Sequence, residues 1–191
     1  MTDHFAVLNL PRRPWLNPEQ LQERFHQIGA RLHPDVAPQD PNEFARLTSA
    51  YQVLREPAAR LRHLLELEFP DELTKPAAIP AGLRDLFMQI APVHEGLAAF
   101  LRKHTEATSA LARALLASER VGWNRTLGAK RAMLEDRLAG VFEQLRRLDA
   151  SWSSAVQESG GELAALHAEL SFLGKWTAQL REAQLQLELL G

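Results

Sequence analysis

The sequence predicts an all-α chain, and three observations carry that prediction. Leu and Ala fill most apolar positions, whereas Val and Ile together number only 10 in 191 residues. Poverty in β-branched residues favours helix over sheet. Apolar residues recur at spacings of three and four along nearly the whole chain, the period of one helical face. Two of those stretches open on a helix-start signal, Asn17-Pro18-Glu19-Gln20 and Asp40-Pro41-Asn42-Glu43. In each, an Asn or Asp stands as N-cap, Pro takes the first helical position, and Gln or Glu follows at the third.

The N-terminal elements are short. Phe5, Leu8 and Leu10 suggest a turn or two of helix before Pro11. Leu21, Phe25, Ile28 and Leu32 form the stripe of the next helix, which must stop near His33 because Pro34 follows. Phe44, Leu47, Tyr51 and Leu54 continue a second amphipathic helix, and Pro57 begins a third segment bearing Leu61, Leu64 and Leu65. Two amphipathic helices of similar length joined by a short loop pack as an antiparallel hairpin.

A seam from Phe69 to Gly82 holds Pro70, Pro76 and Pro80 and is incompatible with one continuous helix. It divides the chain into residues 1–70, a proline-rich linker at 71–82, and residues 83–191. The last part reads as three or four long helices. Leu83, Leu86, Ile90, Leu97 and Leu101 form one stripe, and Pro92 should kink or restart that helix. Leu127, Leu134, Leu138, Val141, Leu145, Leu148, Trp152 and Val156 form another. Ser159-Gly160-Gly161 reads as a turn before the seam of Leu163, Leu166, Leu170, Leu173, Leu180, Leu187 and Leu190. That spacing implies bundle-like packing and also permits self-association. Residues 104–122 give a weaker helical signal, from Leu111, Leu115 and Leu116.

Composition narrows the chemistry. With 22 Lys and Arg against 24 Asp and Glu, there is no basic excess to neutralise a row of phosphates, so a nucleic-acid partner is not expected. The absence of Cys removes disulfides, thiol nucleophiles and Cys-held zinc or iron–sulfur clusters. The seven His show no metal-ligand spacing, and no Gly-rich phosphate loop occurs, so neither metal nor cofactor is expected. No apolar run is long enough for a membrane span, and Met1-Thr2-Asp3-His4 does not start a signal peptide. A cytoplasmic location is the expectation.

One tripeptide stands out. His33-Pro34-Asp35 falls between the two amphipathic helices. Pro34 presets its own φ and pushes His33 out of helical geometry. Asp35 can accept turn N–H groups or offer its carboxylate to a cation. Three readings are open: a helix cap and turn, a catalytic dyad, or an exposed polar hook. The dyad needs a nucleophile and a pocket to which the sequence does not point.

Context selects among them by resemblance. Asp3-His4-Phe5-Ala6-Val7-Leu8, the two helices and the tripeptide between them together resemble the J domain, over residues 3–68. Through this module co-chaperones activate heat-shock chaperones of the DnaK/HscA class. Ala50-Tyr51-Gln52-Val53-Leu54-Arg55-Glu56-Pro57, Arg60-Leu61-Arg62-His63-Leu64-Leu65, Arg24-Phe25 and Leu170-Ser171-Phe172-Leu173-Gly174-Lys175 look like the HscB subfamily, co-chaperones of iron–sulfur cluster assembly. The resemblance implies an N-terminal J domain of helical hairpin plus short helices, followed by a C-terminal helical bundle. It implies no enzymatic activity of the chain's own. His33, Pro34 and Asp35, with Arg24 and Arg31, would meet an ATP-dependent DnaK/HscA-type chaperone and trigger its ATP hydrolysis. His26 and Gln27 stand where many J domains carry Lys or Arg, which predicts slower steered association or a dedicated partner. By the same resemblance, Phe87, Met88 and Phe172, with Glu95 at the rim, would form an exposed apolar patch for a client, an iron–sulfur scaffold protein. Pro92, Gly96 and Ala99 depart from that family's polar or acidic pattern. The alternative function is a helical oligomerisation or scaffolding protein with a vestigial J domain.

Overall fold

The computed structural model describes residues 2–32, 41–75, 80–155 and 158–190. Among these it contains helices and no strand. The order is α1 (His4–Val7), α2 (Pro18–Arg31), α3 (Pro41–Arg55), α4 (Pro57–Glu68), α5 (Pro70–Thr74), α6 (Ala81–Glu106), α7 (Ala110–Ala155) and α8 (Gly160–Glu188). Short helices thus fill the N-terminal part and three long ones the rest.

The helix boundaries follow from local chemistry. Asp3 caps α1, its carboxylate accepting from the N–H groups of Phe5 and Ala6. Asn17 caps α2 in the same way, accepting from Glu19 and Gln20. The predicted Asp40 cap of α3 lies outside the described residues. Ser109 caps α7, its hydroxyl accepting from the Ala112 N–H at 3.1 Å. Much of the ambiguous stretch 104–122 is therefore helix, broken only around Ala107–Ser109.

Two expectations are corrected. Of the kink or restart expected at Pro92, the restart does not occur, because α6 runs through it. Its ring faces solvent, so the Met88 carbonyl it leaves without a helical donor can be hydrated, while buried Ile90, Val93, Leu97 and Phe100 hold both halves to one core. Gly160-Gly161 is not a turn but the first step of α8, with the Ser159 carbonyl accepting from Leu163 N–H. Gly160 is buried, and a Cβ there would stand 2.8 Å from the Phe69 ring. Only glycine lets that ring approach the helix start.

The residues gather into two compact units that ignore chain order. Unit 1 comprises Met1–Ala78 and Phe142–Leu170, and unit 2 comprises Ile79–Val141 and Ser171–Gly191. Helices α7 and α8 each contribute to both.

Unit 1 combines a leucine core with hydrogen-bonded polar groups. Phe5, Leu8, Leu21, Leu47, Leu54, Leu61, Leu64 and Leu65 are buried. Arg60 is buried with them and donates to the carbonyls of Pro14 (3.1 Å) and Leu54 (2.8 Å). Burial pushes its guanidinium down to about 10, against the opposing charges of Glu56 and Asp149. Buried His63 accepts the His4 N–H at its Nε2. The segment before α2 is fastened to α7 at three points. Arg13 pairs with Asp149 at 2.8 Å, Trp15 N–H donates to the same carboxylate, and the Trp152 indole donates to the Arg12 carbonyl at 2.8 Å. Trp15 itself packs edge-on to Phe142 and under the Arg146 guanidinium.

Unit 2 is built from apolar stripes. Leu83, Leu86, Ile90, Leu97 and Phe100 of α6 are buried, as are Leu127 and Leu134 of α7 and Leu173, Trp176, Leu180 and Leu187 of α8. Gly96 lets Trp123 come close, since a Cβ on Gly96 would lie 2.5 Å from the indole. The leucine seam that the sequence offered for self-association is spent inside the chain: Leu163, Leu166, Leu170, Leu173, Leu180 and Leu187 are all buried.

Candidate functional site

The hairpin of unit 1 is the first candidate. Phe25 of α2 stacks on Tyr51 of α3 with ring centroids 4.4 Å apart. Nearer the α2 C-terminus, Gly29 faces Leu47 and Phe44. Rising numbers in α2 therefore meet falling numbers in α3, and the two helices are antiparallel. His33, Pro34 and Asp35 lie outside the described residues. Their flanks are in place: Leu32 closes α2, donating to the carbonyls of Ile28 and Gly29, and α3 begins at Pro41.

Arg24 and Arg31 are both exposed on α2. Seven residues apart, they share one helical face, about 100° round from the Phe25/Ile28 packing stripe. Arg24 donates to Gln27 at 3.4 Å, and Gln27 donates to Glu23 at 2.9 Å. The polar chain on this face therefore includes an acidic side chain, and its net positive charge is modest. Arg24 also lines a groove of about 480 Å³ with Asn9, Leu10, Pro11, Gln20 and Glu23.

The second candidate lies in unit 2. Phe87 and Met88, neighbours on α6, are 49% and 66% exposed. Phe172 corrects the sequence reading: it is half-buried rather than exposed. The structure supplies the reason, which the sequence reading missed. Buried Trp176 sits between the two phenylalanines, 6.1 Å from Phe87 and 6.0 Å from Phe172. The faces of α6 and α8 thus meet around one indole. Trp176 follows Phe172 by four residues, one helical turn, and that spacing was the available signal. Glu95 is exposed and seven residues beyond Met88, on the same side of α6.

Among the described residues, no group of His, Asp and Glu could hold a metal ion. Likewise no described helix is long and apolar enough to cross a membrane.

The N-terminal region of this chain is similar in sequence to J-domain proteins. Its N-terminal region is 31% identical over 64 residues to the chaperone protein DnaJ of Carboxydothermus hydrogenoformans, covering 32% of this chain and 16% of that one. Within the class the likeness is to HscB. The co-chaperone protein HscB homologue of Bordetella pertussis is 39% identical over 72 residues, covering 34% of this chain and 42% of the relative. The corresponding protein of Bordetella petrii is 35% identical over 72 residues, with the same coverage. These matches span less than half the length of the HscB relatives. Among solved structures, HscB from Vibrio cholerae superposes with a TM-score of 0.58 at 19% identity, covering 97% of this chain and 99% of that one. Human co-chaperone protein HscB also gives 0.58, at 15% identity, covering 96% and 83%. The chain thus has the fold of HscB, an N-terminal J domain followed by a C-terminal helical bundle. No family model matches the sequence.

Proposed function

We propose that this chain is a J-domain co-chaperone without enzymatic activity of its own. It engages a DnaK/HscA-type chaperone through His33, Pro34, Asp35, Arg24 and Arg31, stimulates that partner's ATP hydrolysis, and delivers an iron–sulfur cluster scaffold protein held at Phe87, Met88, Glu95 and Phe172. The observation that carries the reading is the antiparallel hairpin closed by Phe25 and Tyr51, with Arg24 and Arg31 exposed together on α2, the helix that precedes His33-Pro34-Asp35 in the sequence. The HscB-like sequence over the same region supports it. Such contacts work by fast, reversible encounter, for which a small polar face is suited. The second face has the opposite character. Phe87 and Met88 offer apolar area anchored by Trp176, the chemistry of a binding hot spot.

Single-turnover ATP hydrolysis by a DnaK/HscA-type chaperone tests the first contact. Stimulation is expected from the wild-type chain and not from Asp35→Asn. A flat response to the wild type overturns the reading and leaves the scaffolding alternative. For the second contact, titration of a purified iron–sulfur scaffold protein against the Phe87→Ala/Met88→Ala variant is expected to show weakened binding. Unchanged affinity removes that site.

A further inference from the structure

A cleft of about 320 Å³ opens where α2, α3 and α4 meet in unit 1, at the end of the hairpin opposite Leu32 and Pro41. Pro18, Leu21 and Gln22 line it from α2, Tyr51 and Arg55 from α3, and Arg60 from α4. No acidic side chain lines it, whereas Glu23 lines the groove beside Arg24. Arg60 is only 3% exposed. Its guanidinium carries five N–H groups and cannot shed its charge. Nε donates to the Pro14 carbonyl and Nη1 to that of Leu54, which uses two of the five. Nη2 meets no acceptor among the described residues, yet it is not sealed from solvent. Nor does any carboxylate among them come within ion-pair distance of Arg60. Asp149 is taken by Arg13, and Glu56, exposed at the start of α4, acts only at longer range. A cation this deeply placed ordinarily has a counter-ion on it. Arg55, exposed on the cleft wall, and the Tyr51 hydroxyl likewise have no hydrogen-bond or ion-pair partner among the described residues.

We propose that this cleft binds an oxyanion, a phosphate or carboxylate group, seated on Arg60 and held also by Arg55 and the Tyr51 hydroxyl. A guanidinium edge offers parallel N–H donors that match either group. Two arginines on one cleft repel each other, and an anion between them turns that repulsion into attraction. Pro18, Leu21 and the Tyr51 ring supply apolar walls. Such walls thin out the water that would screen the charges, so each contact gains strength. The volume lies at the small end of ligand pockets, which suits a compact anion. The cleft shares no residue with the groove beside Arg24. An anion bound here therefore leaves the Arg24 and Arg31 face free for the proposed chaperone contact.

Titration of the full chain with inorganic phosphate, and separately with acetate, tests this at an ionic strength fixed with sodium chloride. The readout is proton–nitrogen correlation NMR, which includes the Arg60 Nε–H that its bond to Pro14 slows in exchange. Saturable shifts are expected at that group and at the Leu21, Gln22 and Tyr51 amides. Saturation by phosphate alone assigns a tetrahedral anion, by acetate alone a carboxylate, and by both an oxyanion of either shape. Arg55→Gln alters a side chain that bonds nothing in the fold, so its melting midpoint should hold while affinity falls roughly tenfold. Arg60→Lys keeps the charge but lacks Nη2, and saturation should disappear. Arg125→Gln, at an exposed arginine of unit 2, should leave affinity unchanged. A wild-type response that rises linearly with both anions overturns the proposal. Undiminished affinity in Arg55→Gln, or an equal loss in Arg55→Gln and Arg125→Gln, overturns it as well.

Discussion

The two units hold themselves together with different chemistry. Unit 1 holds buried and half-buried polar groups on specific partners: Arg60 on two carbonyls, His63 on the His4 amide, Asp149 on Arg13 and Trp15. Unit 2 relies on leucines, Phe100 and closely approaching indoles, and leaves apolar area at Phe87, Met88 and the α7 outer face. Hydrogen bonds fix direction, whereas apolar packing fixes volume. A hairpin that must present one loop to a partner gains from the first. A bundle whose surface is itself apolar works through the second.

The largest expected loss comes from unit 2. Phe100 is fully buried, so Phe100→Ala should cost about 3–5 kcal/mol, read as a lower midpoint in denaturant unfolding. Next comes the polar centre of unit 1. Arg60→Met removes donors from the Pro14 and Leu54 carbonyls and should cost about 1–3 kcal/mol. Arg60→Lys should recover only part of this, because an ammonium cannot span both acceptors as a guanidinium does. An Arg60→Met variant as stable as the wild type would show that the hydrogen bonds contribute nothing. Gly96→Ala forces a methyl against Trp123 and should cost about 1–3 kcal/mol, with a change in tryptophan fluorescence.

Acid should separate the units. His4 is held below the ordinary imidazole value of 6.5 by burial and then by His63, and His167 by burial and then by Arg62. Both belong to unit 1. The folded chain resists protons that the unfolded chain accepts. Stability is therefore complete above about pH 6.5 and falls as pH drops through the lowered values. Relative to the intrinsic exchange rate at each pH, amide protection at about pH 5 should fall in unit 1 before unit 2; an equal fall would erase the distinction. The smallest effect is expected from Leu115→Glu on the exposed face of α7, within about 0.5 kcal/mol.

Most helices were legible because their signals are local. Asn17 capped α2 as its sequence promised, and the Leu163-to-Leu187 stripe turned inward as its spacing required. Pro92 did not restart its helix, because a proline's cost is local while the packing that overrides it is not. Of the first candidate site, Arg24 and Arg31 fall on one exposed face, as helical spacing alone implies. Of the second, Phe87 and Met88 were correctly exposed. Phe172 was not, since its cover comes from Trp176, whose side-chain direction the stripe did not specify.

What the sequence determined by itself was the all-α class, the capped starts and the faces each helix would bury, all consequences of residue type and a repeat of 3.6. Tertiary structure alone decided that residues 142–170 would join the N-terminal helices in one unit, and that Arg60 and Asp149 would become interior partners of the segment before α2. Those contacts join residues as many as 136 positions apart. No periodicity within a single helix encodes such a pairing; it exists only once the chain has folded and the donors find their acceptors.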